Sequence, residues 1–168
     1  MAGEFDPYAL LQALERQRVT YVVIGGLGRV LHGSGEITDG LDIVPSTREE
    51  NLRRLGLALE GLNARRPDGK SPALERDLVG RGVLELATDA GELKIVPEPA
   101  GTQGYDDLRR RAERPPLGRG LRPAVASLDD HARMLAAIDR EEDREPLVAL
   151  QRLIELEQGL RRGMGVEL

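Results

Sequence analysis

Two periodicities alternate along this chain. Apolar side chains recur every three to four positions at Leu10, Leu11 and Leu14, at Leu52, Leu55, Leu59 and Leu62, and at Leu147, Leu150, Leu153, Ile154 and Leu156. That spacing gathers them on one stripe of an amphipathic helix. Between these helices lie runs of another kind. Tyr21-Val22-Val23-Ile24 is mostly β-branched and suits a buried strand. Thr38 to Val44 alternates, so that positions 38, 40 and 42 project to one face and Leu41 and Ile43 to the core. Gly82 to Thr88 and Glu92 to Val96, joined by Asp89-Ala90-Gly91, predict a β-hairpin. In its second strand Glu92, Lys94 and Val96 share one face, Leu93 and Ile95 the other.

Helix starts are marked by polar caps. Asp6-Pro7 opens the first helix. Ser46-Thr47-Arg48-Glu49 fits a capping box before the second leucine stripe, and Ser71-Pro72 begins a short helix with Leu74 and Leu78. Ser127, with Asp129 and Asp130 in the first turn, starts a helix carrying Leu128, Met134, Leu135 and Ile138. A final helix is read from Asp143 to Gln158, followed by a glycine-rich tail. Asn63 to Lys70 and Pro97 to Gly104 are loops on their proline and glycine content. Tyr105 to Ala112 reads as a helix ending in Arg109-Arg110-Arg111, and a last short strand is read around Leu121 to Val125.

These elements predict an α+β fold: a mixed sheet of about four or five strands, backed by helices, with a helical C-terminal extension. A length of 168 residues and 18.4 kDa fits one domain, divided into a core over 1–126, helices over 127–158 and a tail over 159–168. No apolar run approaches the ~20 residues that span a bilayer, and nothing near Met1 resembles a signal peptide, so a cytoplasmic protein without membrane contact is expected. The lack of cysteine excludes disulfides and thiolate metal sites. A formal net charge of −5 argues against a protein that coats nucleic acid indiscriminately, while leaving room for local basic clusters. Lys70 and Lys94 are the only lysines, and Phe5, Tyr8, Tyr21 and Tyr105 the only aromatic residues of the Phe, Tyr and Trp type, so base-stacking platforms are scarce.

The stretch from Tyr21 to Val44 carries the candidate chemistry. Its strand is stopped by Gly25-Gly26, and Leu27, Val30 and Leu31 then have helical spacing. Strand, glycine turn and helix start together make a natural cradle for phosphate. Thirteen residues, 27 to 39, separate the glycine pair from Gly40-Leu41-Asp42.

A glycine pair followed at this distance by a two-residue beat ending in aspartate resembles the signature of the polymerase-β-like nucleotidyltransferases. Within them the chain is similar to the minimal AbiEii and MenT type, the toxin half of bacterial toxin–antitoxin pairs. The resemblance rests on Tyr21 to Leu27, His32-Gly33-Ser34, Thr38 and Leu41 to Val44. It extends to Asp89 to Leu93, Pro99 to Thr102 with Gly104-Tyr105, Ser127 to Asp130, and Arg140 to Asp143. It implies that carboxylate-bound Mg²⁺ aligns a nucleoside triphosphate (NTP) for attack by an acceptor hydroxyl on a tRNA end or a protein. Two metals about 3.5–4 Å apart can stabilise both the attacking and the leaving oxygen. It further implies Asp42 as a metal ligand and Gly25, Gly26, Ser34, Thr38 and Arg140 as nucleotide contacts, with a cognate antitoxin as partner; Lys94 joins the candidate nucleotide contacts on its own charge.

The carboxylate trio that such chemistry uses is broken here. Its first position is Gly40, and its third, on the hairpin strand, is Lys94. Two cationic positions change as well, to Glu36 and Leu135. Asp39 could replace the missing ligand only if Gly40 sat in a bulge that turned the chain. Lys94 could meet a phosphate directly or pair with Asp42 in place of a metal, the pairing being expected because a lone buried carboxylate is costly.

Each residue also has a plainer reading: a packing turn at Gly25-Gly26, a hydrogen-bonded His32, a backbone bond from Thr38, a structural ion pair at Asp42, a solvated helix face for Arg109 to Arg111 with Arg114, and an ion-paired helix end at Arg140 beside Glu142. Two functions follow. One is a weak or inactive pseudo-enzyme that holds nucleotide, RNA or a partner protein. The other is a working Mg²⁺-dependent transferase that uses Asp42 and Asp39.

Overall fold

The computed structural model describes residues 2–163. Helix α1, Pro7–Arg16, starts as predicted: the Ala9 amide donates to Asp6 Oδ1 at 3.1 Å, and Leu10, Leu11 and Leu14 are buried. Strand β1, Tyr21–Ile24, runs straight into the short helix α2, Gly25–Leu31. Strand β2, Gly40–Pro45, follows. Helix α3, Glu49–Gly61, begins without the expected capping box, since its N-cap is Arg48 and no side chain caps it. The polar tie at this corner comes from buried Asn51 instead. It accepts from the Thr20 amide at 2.7 Å and donates to the carbonyls of Thr20 and Ser46 at 2.9 and 2.7 Å.

The hairpin is present as β3, Leu84–Thr88, and β4, Gly91–Ile95, preceded by the short helix α4, Leu74–Asp77. Helix α5 covers only Tyr105–Leu108, so the arginines expected at its end lie beyond it. Helices α6, Leu128–Ile138, and α7, Arg144–Gly163, complete the chain. The last helix continues five residues past the expected boundary at Gln158, with Arg161 paired to Glu157 at 2.7 Å across one turn. The remainder of the expected tail, 164–168, lies outside the described residues.

The sheet is mixed, in the order β1-β2-β4-β3. β1 and β2 are antiparallel, β2 and β4 parallel, β4 and β3 antiparallel. The strand expected around Leu121 to Val125 is reduced to single bridges from Val125 to Val23 and to Glu113. One face of the sheet, with Val23, Leu41, Ile43, Leu93 and Ile95, packs against the leucines of α1 and α3. Burying each such side chain contributes roughly 1.5–3 kcal/mol. The other face is covered over part of its area. There Leu108 and Met134 close over Val22, Ile24, Val44 and Val96. The strand register sets Asp42 beside Ile24 on that second face.

Candidate nucleotide cleft

The uncovered part of the second face forms a cleft of about 590 Å³ whose lining includes Gly26, Thr38, Asp39, Gly40, Asp42 and Lys94, with Glu85 and Glu92 from the hairpin. Its floor follows from strand register. Gly40 lies opposite Glu92 and Asp42 opposite Lys94 across the parallel β2–β4 pair, and Lys94 lies opposite Glu85 across β4–β3. Four carboxylates and one ammonium therefore line one cleft.

Asp42 is held from two sides. It lies in the strand next to β1, and Gly25 closes on it from above: a Cβ built on Gly25 would fall against Asp42 Oδ2 and 2.9 Å from its Cγ. Gly25 has φ +71°, a backbone conformation that glycine adopts without strain. Burial raises the Asp42 carboxyl above its ordinary range, while the charges of Lys94 and Arg29 draw it down.

The expected ion pair between Lys94 and Asp42 is not formed. Lys94 Nζ is 3.9 Å from Glu85 Oε1, and among the described residues that is its ion pair. Lys94 is half-exposed, and extending toward the hairpin partner lets its charge stay hydrated. The bulge imagined at Gly40 is absent too. β2 begins at Gly40, so Asp39 precedes the strand, escapes its alternation and stands exposed on the rim of the cleft. Among the described residues no three His, Cys, Asp or Glu side chains are arranged to hold a metal ion. A glycine at one expected ligand position and an ammonium at the other leave a donor set unsuited to Mg²⁺, which needs near-octahedral oxygen ligands.

Of the residues singled out in the sequence, Gly25, Gly26, Thr38, Asp39, Asp42 and Lys94 come together. Thr38 donates to the Gly40 carbonyl at 3.1 Å, shaping the entry to β2. Ser34 and Arg140 do not join them. Ser34 donates to Glu36 at 2.6 Å within its loop. Arg140 is bound to Asp143 at 2.7 Å and Glu142 at 3.2 Å between α6 and α7, away from the cleft lining. Glu36 has a structural use, as it takes a two-pronged bond from Arg29 at 2.7 and 2.8 Å that ties the loop to α2. That bond holds its carboxyl below the usual range.

Behind α2 lies a buried polar layer that the sequence reading overlooked. His131 packs against Gly28, where a Cβ would come within 2.6 Å of its Nε2. Its Nδ1 is 3.0 Å from the Ser127 carbonyl and its Nε2 has no hydrogen-bond partner among the described residues. His32 stands edge-on to it at 5.9 Å and reaches the Ala126 carbonyl through Nε2 at 2.7 Å. Asp130, also buried, has Arg111 and Arg133 at ion-pair distances of 2.9 and 3.1 Å, without hydrogen-bond alignment. The signal available in the sequence was the helical offset that carries Asp130 and His131 onto the same side as Met134.

Burial pushes the His131 imidazole down from 6.5 to about 4. The unfolded chain therefore binds a proton in this interval that the folded chain refuses, so stability is expected to fall as pH drops from about 6.5 toward 4. The loss should reach about 3 kcal/mol in urea melts, and His131→Met should flatten the profile.

No family pattern and no curated protein matches the chain. Solved structures do. The lincosamide antibiotic adenylyltransferase LnuA, bound to lincomycin, superposes with a TM-score of 0.60 at 18% identity, covering 90% of this chain and 99% of that one. A Thermotoga maritima protein assigned to the nucleotidyltransferases gives 0.51 at 17% identity, over 95% and 91%. The antibiotic-resistance factor ANT(2'')-Ia gives 0.54 at 12% identity, over 94% and 89%. At these identities the likeness establishes the fold, which is that of the nucleotidyltransferases.

Proposed function

We propose that this nucleotidyltransferase-fold chain is a pseudo-enzyme that binds nucleotide phosphate through Lys94 and has lost metal-dependent transfer. One observation carries the reading: the register sets an ammonium, in place of a carboxylate, directly beside Asp42, with glycine at the other vacated position. A fixed ammonium can meet a phosphate as a point charge. Because four carboxylates share the cleft and Glu85 competes for the ammonium, binding is weak in this reading. The resemblance of its motifs to the AbiEii and MenT type toxins supports reading it as a degenerate form of such a toxin, with a cognate antitoxin-like protein as partner.

The test is titration with a fluorescent ATP analogue in EDTA. Lys94→Ala is expected to abolish binding and Glu85→Gln, which frees the ammonium, to tighten it several-fold. Unchanged binding in both variants would remove Lys94 from the site. A second reading, a working transferase that adds a nucleotide monophosphate to a tRNA end or a protein, is favoured by Asp39, which lines the same cleft as Asp42. Label transfer from any NTP with Mg²⁺ or Mn²⁺ that is lost in Asp42→Ala would establish it against the first.

A further inference from the structure

We propose that residues 113–125 form an arginine arm that docks a single RNA strand, on a surface separate from the cleft. Charge is sharply segregated in this chain. Residues 113–125 hold three arginines and one glutamate, a formal +2 in a chain of net −5, which leaves −7 for the rest. All three arginines are exposed.

The segment is built, not frayed. Glu113 and Val125 exchange backbone hydrogen bonds at 2.8 and 2.7 Å, and the Leu117 amide donates to the Leu121 carbonyl at 3.0 Å, closing an irregular hairpin. Its tip turns through Gly118, Arg119 and Gly120, all with positive φ, and is fastened to α1 by Tyr8, whose hydroxyl donates to the Leu117 carbonyl at 3.1 Å.

On this arm Arg114 and Arg122 face each other. Each guanidinium donates to the other residue's carbonyl, at 3.3 and 3.4 Å. Arg119 lies 4.2 Å over the Tyr8 ring. Among the described residues none of the three forms an ion pair with a carboxylate, although acidic residues outnumber basic ones in the chain. Like charges held side by side without a counter-charge repel, and a bound polyanion would relieve that repulsion.

A row of guanidiniums on a short irregular arm suits one strand better than a duplex. It offers forks for successive phosphates and flat faces on which unstacked bases can lie, whereas groove reading needs a helix or a regular ribbon. None of the three arginines lines the cleft, so this inference stands apart from the reading of Lys94.

The test is fluorescence anisotropy with a labelled twelve-nucleotide RNA, and separately with duplex DNA of the same length, from 50 to 300 mM KCl. Three phosphate contacts on a single strand give a slope of log K against log salt of about −2. The Arg114→Gln, Arg119→Gln, Arg122→Gln triple variant is expected to bind at least ten-fold more weakly with the slope near zero. The matching triple lysine variant keeps the charge without the carbonyl-bonded fork, and most of the slope should survive in it. ATP-analogue binding should be the same in all three proteins. Wild-type affinity in the glutamine variant, equal loss in both variants, no RNA binding at 50 mM KCl, or duplex DNA bound as tightly as RNA would each overturn the proposal.

Discussion

The Gly40→Asp, Lys94→Asp double variant is expected to take up Mn²⁺ with a Kd on the order of 10⁻⁴ M, a weak value for a carboxylate site, and the natural chain is expected to take up none in the same titration. Both substitutions fit the fold. Gly40 sits in extended strand, and a Cβ there would approach Glu92 at 3.3 Å from its carbonyl oxygen and 3.4 Å from its Cβ, which a shift of a few tenths of an ångström relieves. Lys94 is half-exposed and gives up only a loose contact with Glu85, a pair worth little in water. Positions 40, 42 and 94 share one face, 42 directly opposite 94, so the double variant brings three carboxylates together.

Without metal those charges repel, so the variant should melt below the natural chain in EDTA and recover as Mn²⁺ is added. Calorimetry reads the uptake and thermal melts read the coupling. Either single variant should bind far more weakly, because Gly40→Asp keeps the Lys94 ammonium beside its two carboxylates and Lys94→Asp supplies only two of the three. A folded double variant that takes up no Mn²⁺ would sink the idea that this cleft is an erased metal site.

What the sequence made legible was local. Tyr21 to Ile24 as a strand, the glycine break, the inward Leu41 and Ile43 and the hairpin around Asp89-Ala90-Gly91 all depend on neighbours within a few residues, and each is present. What stayed hidden depends on partners distant in sequence. Pairing Lys94 with Glu85 needs strand order; that Lys94 lies beside Asp42 was reached only through the family resemblance, since it takes a parallel contact across some fifty residues that periodicity does not encode. The capping box failed because Ser46 is held in the corner by Asn51, so tertiary bonding outweighed a local cap. Asp39 was judged by an alternation that starts two residues later than expected, at Gly40 and not Thr38. Arg140 and Ser34 matched a family pattern, yet closer carboxylates hold them away from the cleft.

Gly25→Ala is expected to cost about 3 kcal/mol or more, the largest loss from any single methyl group added near the cleft. Two terms add. The φ of +71° is unfavourable for an L side chain by about 1–2 kcal/mol. The new Cβ also enters the Asp42 carboxylate and comes within 3.1 Å of its Cβ, and overpacking of this kind costs roughly 1–3 kcal/mol. Asp42 cannot retreat, since β2 is locked between β1 and β4. A double-mutant cycle separates the terms. In an Asp42→Ala background the carboxylate is gone, so Gly25→Ala should cost little more than its backbone term, leaving a coupling of about 1–3 kcal/mol. Gly26→Ala meets the Thr38 side chain, at 3.2 Å from Oγ1 and 3.4 Å from Cβ, and should be milder. Urea denaturation of the four proteins of the cycle measures the coupling. A Gly25→Ala cost that is the same with and without the carboxylate would mean that the glycine turn is kept for its backbone alone, and that Asp42 is not seated against it.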